Sequence, residues 1–213
     1  NRQEVESISS YFRGNSFSGE EATEENFKAN SEGGDILHLA MHAIVDDSDP
    51  MMSRMLFYND HDSLEDGLLH AFEIYNMRIP ARVTVLSACE TGFGAMAKGE
   101  GAMSLARAFA YAGSPSVVMS HWPVDDKSTS ELMTNFYRYL SEGHTKGSAL
   151  QKARQDFLSK ADVSRSHPFF WAGFVVVGDD SPVTRSRWPW WILLIGVLIT
   201  GGWLLRHRRS VRQ

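Results

Sequence analysis

Val83-Thr84-Val85-Leu86 is a run of four residues without polar alternation, three of them β-branched. Such a run suits a strand covered on both faces, the situation of a central strand in a parallel sheet. Parallel neighbours need crossover connections, usually helical, so strands and helices should alternate along the chain. Ile36 to Met41, Ser116 to Ser120 and Phe174 to Val177 read as further strands. A short hairpin runs from Met55 to Tyr58, turns at 59–62 and returns near Gly67 to Leu69. Helical spacing predicts a short helix ending before Gly33-Gly34, a helical turn over Ala71 to Asn76 and a helix over Ala102 to Ala112. Two more run from Asp126 or Lys127 to about Leu140 and over roughly Lys146 to Leu158. The expected fold class is α/β, a mostly parallel sheet covered by helices on both faces, forming one domain over residues 1–183.

Open α/β sheets bind ligands at the carboxyl ends of their strands. Cys89, the one cysteine of the chain, stands three residues beyond Leu86, where the strand gives way to a loop holding Gly92, Gly94, Gly99 and Gly101. A thiol there is a candidate nucleophile and needs a base to take its proton. His42, closing the run from Asp35 to His42, is the best placed. The N–H groups of Cys89 and of Ala43, the residue after His42, would then face a developing oxyanion. A side-chain-free loop lets an extended peptide lie close, with Glu90 and Gly92 as candidate contacts. Burial of a structural thiol is the competing reading of Cys89. His121, at the end of the strand from Ser116 to Ser120, rivals His42 as base. His38, four residues before His42 on the same expected strand, reads as a packed side chain. His167 precedes Pro168 and orders a turn, and Asp125 and Asp126 cap the helix that follows. Asp46, Asp47, Asp49 and Asp60 could form a pocket for a cationic substrate, with Asp46 and Asp47 the chosen candidates, or simply a solvated loop. His42, Asp46, His61 and Asp62 match no tight metal-ligand spacing, so neither a metal nor another cofactor is expected.

Charge is divided unevenly. The whole chain carries −5, but the last thirty residues hold six arginines and no acid, which leaves 15 basic against 26 acidic groups over residues 1–183. So acidic a domain offers no footprint for a phosphate backbone, and nucleic acid is not an expected partner. A single cysteine excludes an internal disulfide and any zinc site built on several thiolates. Residues 188–205 contain no charge, begin with a tryptophan cluster, carry Trp203 near their end and are bracketed by arginines. This is the pattern of a single membrane-spanning helix, with the lipid bilayer as partner and 184–213 forming the span and its basic tail. Four arginines follow the span and two precede it, a bias toward a cytoplasmic tail that leaves the side of the domain open. The chain opens at Asn1 in a polar, helix-like segment, as expected of the C-terminal piece of a longer protein.

Six ordered segments resemble the CHAT family of caspase-like domains, bacterial relatives of caspases and separase often found behind tetratricopeptide repeats. They are residues 36–42, 86–92, 99–109, 112–118, 122–126 and 167–174. The resemblance implies a caspase-like fold and a cysteine endopeptidase acting on a protein or peptide, with His42 and Cys89 as its dyad and repeats upstream. In that clan glycine usually follows the histidine, where this chain has Ala43. Members that cleave after basic residues often carry an acid two positions before the cysteine, where this chain has Ser87. The expected function is a membrane-tethered peptidase. A catalytically silent assembly module of the same fold is the alternative.

Overall fold

The computed structural model describes residues 2–46, 48–59, 65–87, 100–123 and 125–184. Its elements, in chain order, are α1 (Arg2–Ser9), α2 (Glu24–Asn30), β1 (Ile36–Leu39), β2 (Ala43–Ile44), β3 (Arg54–Leu56), β4 (Leu68–His70), α3 (Ala71–Ile74), β5 (Val83–Leu86), α4 (Glu100–Tyr111), β6 (Ser116–Ser120), α5 (Asp126–Ser141), α6 (Lys146–Lys160) and β7 (Phe174–Gly178). The main sheet has the order β1-β5-β6-β7. Its first three strands are parallel and β7 runs antiparallel to β6, so the sheet is mixed. Every residue of β5 is buried, as the apolar run requires of a strand with neighbours on both sides and helices on both faces.

Alternation along the strands sends side chains into two cores. Leu39, Leu86, Val117 and Met119 face Ile74 of α3 and Ala106 and Phe109 of α4, joined by Met55 and Leu69. Val83, Val85, Val118 and Phe174 face Leu132, Phe136 and Tyr137 of α5, Leu150 and Phe157 of α6, and Ile8 of α1. Helices therefore cover both faces. Side-chain caps start three of them: Thr23 accepts from Asn26 N–H, Asp125 from Ser128 N–H and Thr145 from Ser148 N–H.

The connection from β1 to β5 is richer than the expected hairpin. β2, β3 and β4 form a separate antiparallel sheet, with Ala43 opposite Met55 and Arg54 opposite His70. The two-residue β2 was not expected, because Ala-Ile is too short to show a period. Its presence also shortens β1, which ends at Leu39 and not at Met41. Among the described residues no helix is long and apolar enough to cross a membrane, and 188–205 lies outside them.

Beyond β7 the chain is clamped. Lys146, 1% exposed, donates from Nζ to the carbonyls of Asp179 (2.9 Å) and Ser181 (2.8 Å) and lies 3.2 Å from an Asp179 carboxylate oxygen. Gly147 N–H donates to the Asp180 carboxylate, and Arg82 donates to the carbonyl of the buried Val183 at 2.7 Å. Thr184 reaches the Leu140 carbonyl at the end of α5. Because β7 is antiparallel, Gly178 pairs with Ser116 at the start of β6, and this clamp sits at the pole where the parallel strands begin.

Gly178 has φ of +98°, and a Cβ there would run into the Pro115 carbonyl. Gly178→Ala is expected to lower stability by about 2 kcal/mol or more, read as a shift in the urea unfolding midpoint. Gly14→Ala, whose Cβ would meet nothing within 4 Å, should change it by less than about 0.5 kcal/mol.

Candidate active site

The rim formed by the carboxyl ends of β1, β5 and β6 carries two of the sequence-predicted groups. β1 ends at Leu39, and three residues later the exposed His42 enters the small sheet. Its carbonyl accepts from Leu56 N–H at 2.9 Å. That bond makes Ala43 and Met55 the non-hydrogen-bonded pair of the β2–β3 ladder, so the Ala43 N–H turns away from β3. β2 is the edge of its sheet, and the open side of that edge is where this N–H points. Ala43 sits in extended strand backbone, which alanine adopts without strain.

β5 continues one bond past Leu86, with Ser87 N–H donating to the Leu39 carbonyl at 3.1 Å. Cys89, Glu90, Gly92 and Asp47 lie outside the described residues. His121, after β6, is exposed, and its backbone N–H is held by the Gly173 carbonyl at 3.0 Å.

Beneath this rim lies a buried polar cluster. His38 Nδ1 is 2.9 Å from the Tyr137 hydroxyl, and Nε2 is 3.3 Å from Ser87 Oγ and 3.1 Å from Glu4 Oε1. The Glu4 contact is not a hydrogen bond, and the buried Oε1 has no hydrogen-bond partner. Glu4 is 1% exposed, and the His38 side chain 9%. Burial pushes the Tyr137 phenol well above its usual range, with the Glu4 charge adding to it. His38 is therefore a packed, partnered side chain, as its sequence reading has it. β1 stops between His38 and His42, so the two do not share a strand face: the His38 side chain is 9% exposed, whereas His42 is exposed. Ser87, standing where an acid would favour basic substrates, is turned into the cluster and buried. Sequence reasoning missed Glu4 altogether, since one acid in a polar N-terminal helix carries no signal of burial. Tyr137 stands at helical spacing with Leu132, Met133, Phe136 and Leu140 of α5, an apolar stripe that hides its hydroxyl.

Asp46 serves its own loop. One carboxylate oxygen accepts from the Ser48 hydroxyl (2.6 Å) and from the N–H groups of Ser48 and Asp49 (both 2.9 Å). The Ser48 hydroxyl first, then the Asp49 and Ser48 N–H groups, hold its carboxyl below the usual range. Asp49 in turn accepts from Met51 N–H. Among the described residues one trio of carboxylates is close enough to hold a cation, Glu24, Glu65 and Glu73, and Lys28 already fills it at 2.7, 2.9 and 3.2 Å. His167 accepts from Phe169 N–H and starts a 3₁₀ turn, and Asp125 caps α5.

The sequence profile of the CHAT domain matches residues 1–179. Tetratricopeptide repeat protein 28 of Homo sapiens is 30% identical over 155 residues, and the protein of the same name from Mus musculus matches equally. The match takes in 73% of this chain and 6% of each relative, so the chain spans a small fraction of their length. Both are mammalian, so similarity to this chain extends beyond the bacterial setting that the motif resemblance implies.

Removing the Glu4 side chain, itself 1% exposed, takes away the packing that α1 makes against the His38 ring, which keeps Tyr137 and Ser87 as partners. Glu4→Ala is expected to cost about 2 kcal/mol in chemical denaturation, and Tyr137→Phe, which keeps the volume and loses one hydrogen bond, about 1 kcal/mol. Equal stability of Glu4→Ala and the parent would show that the cluster does not hold α1 to the sheet.

Proposed function

The chain belongs to the CHAT domain family, and we propose that it is a caspase-like cysteine endopeptidase tethered to a membrane. The observation that carries the proposal is register. Ile36 pairs with Val83 and Leu39 with Leu86, a constant offset of 47 residues. His42 and Cys89 are also 47 residues apart. The Ser87 N–H on the Leu39 carbonyl keeps this offset to the end of β1, so the chain leaves two adjacent parallel strands at one rim shortly before His42 and Cys89, which supports His42 as the partner of Cys89.

In this reading His42 takes the thiol proton and the Cys89 sulfur attacks the peptide carbonyl. The N–H groups of Ala43 and Cys89 stabilise the oxyanion. The C–N bond breaks as His42 returns the proton to the leaving amine, and water then hydrolyses the thioester, restoring the thiol. The outward N–H of Ala43 supports its part, and alanine in place of glycine keeps that donor. Asp46, occupied by its own loop, is the weaker candidate for a substrate contact, and Asp47, Glu90 and Gly92 complete the set. Residues 1–183 form the catalytic domain and 184–213 the span and basic tail, with the arginine bias favouring a cytoplasmic tail. The name of the mammalian relatives supports a repeat domain upstream as regulator or substrate carrier. A silent assembly module remains the second reading, because Ala43 departs from the clan's usual glycine.

Proteome-wide mapping of peptide termini in cells with the parent protein or Cys89→Ala tests the peptidase. We expect a set of termini lost in the variant, and identical termini would sink the claim and favour the assembly module. Deleting 188–213 should move the protein from the membrane fraction to the supernatant.

A further inference from the structure

We infer that the candidate catalytic rim is held at the far pole of the domain from the bilayer, so that its substrates are proteins presented from the aqueous phase and not segments lying at the membrane surface. The inference rests on the reading of 188–205 as a membrane span.

Chain direction carries it. β1, β5 and β6 run toward the rim, and β7 alone runs back, delivering the chain at Gly178 beside Ser116. The clamp then prevents residues 179–184 from returning: buried Lys146 holds Asp179 and Ser181, Arg82 at the start of β5 holds Val183, and Thr184 meets Leu140. α5 gives the scale. It starts at Asp126, five residues after His121 at the rim, and reaches Leu140 beside Thr184. Fourteen residue steps of helix make about 21 Å along its axis. α6 runs the opposite way, its C-terminal side returning to the start of α5 through Arg165, which donates to Glu131 at 2.8 Å. Only residues 185–187 separate Thr184 from the uncharged segment. Fully extended, that tether reaches at most about 14 Å. It is too short to let the domain turn its rim onto the bilayer, so the pole bearing the clamp faces the headgroups.

The test uses the full chain in phosphatidylcholine vesicles containing headgroup-nitroxide lipid, in a Cys89→Ala background so that one introduced cysteine carries a fluorophore. His121→Cys reports the rim and Glu142→Cys, at the end of α5, the clamp pole; both native residues are exposed. Val163→Cys (93% exposed) and Tyr111→Cys (76% exposed) form a second rim and clamp pair on other elements, which guards against a misfolded single variant. We expect strong quenching at 142 and 111 and little at 121 and 163. Quenching at the rim positions equal to or above the clamp positions overturns the inference. Flotation of the same samples separates the two readings: protein that does not float with vesicles overturns the anchor and the orientation together, whereas floating protein with the reversed pattern overturns the orientation alone. No activity is read, so failure of the peptidase reading is seen only in the mapping of termini.

Discussion

The ladder of β5 between β1 and β6 is the constraint around which the other elements are arranged. A strand buried on every residue must satisfy its backbone through both neighbours, and each neighbour must then be shielded by helices. That requirement draws α3 and α4 to one face and α1, α5 and α6 to the other. It also fixes register, since a shift by one residue would exchange the two apolar sets between the cores. The same ladder that buries Val83 and Val85 therefore sets which residues meet at the rim.

The cluster of Glu4, His38, Ser87 and Tyr137 is the costly part of this arrangement. Burying an acid, an imidazole and a phenol is unfavourable: the imidazole bonds to Tyr137 and Ser87 from elements far apart in sequence, while Glu4 Oε1 is left without a hydrogen bond. The arrangement ties α1 to the undersurface of the rim. It also explains Ser87: a small hydroxyl fits beside the His38 ring, where a carboxylate would bring a second negative charge close to Glu4.

Much of the main sheet could be read from residue pattern. Val83–Leu86 and Ser116–Ser120 announced themselves through β-branched content, and α5 and α6 through helical spacing, with Asp125 as the cap of α5; the Thr145 cap of α6 was not expected. β2 escaped because two residues carry no period, and the early end of β1 escaped with it. Met41 is as apolar as Leu39, so composition does not mark where β1 ends. At the site, His42 and Ala43 were legible as candidates just past a strand, but the direction of the Ala43 N–H depends on ladder alternation that appears only once Met55 is known to lie opposite. The burial of Glu4 depends wholly on tertiary packing. The antiparallel sense of β7, on which the position of the clamp depends, is likewise invisible in its own apolar run.

The clamp on residues 179–184 has a mechanical side. Tension entering through the tail would meet Lys146, Arg82 and Thr184 before it reached β7. The buried ammonium holds two carbonyls and a carboxylate from one point in the fold, so a pull would load the Ser181 contact and then those of Asp179. Resistance to such a pull is set by the rate of unfolding and not by equilibrium stability. A domain joined to a moving support in this way would transmit force through its α5–α6 layer while the opposite rim stayed unstrained.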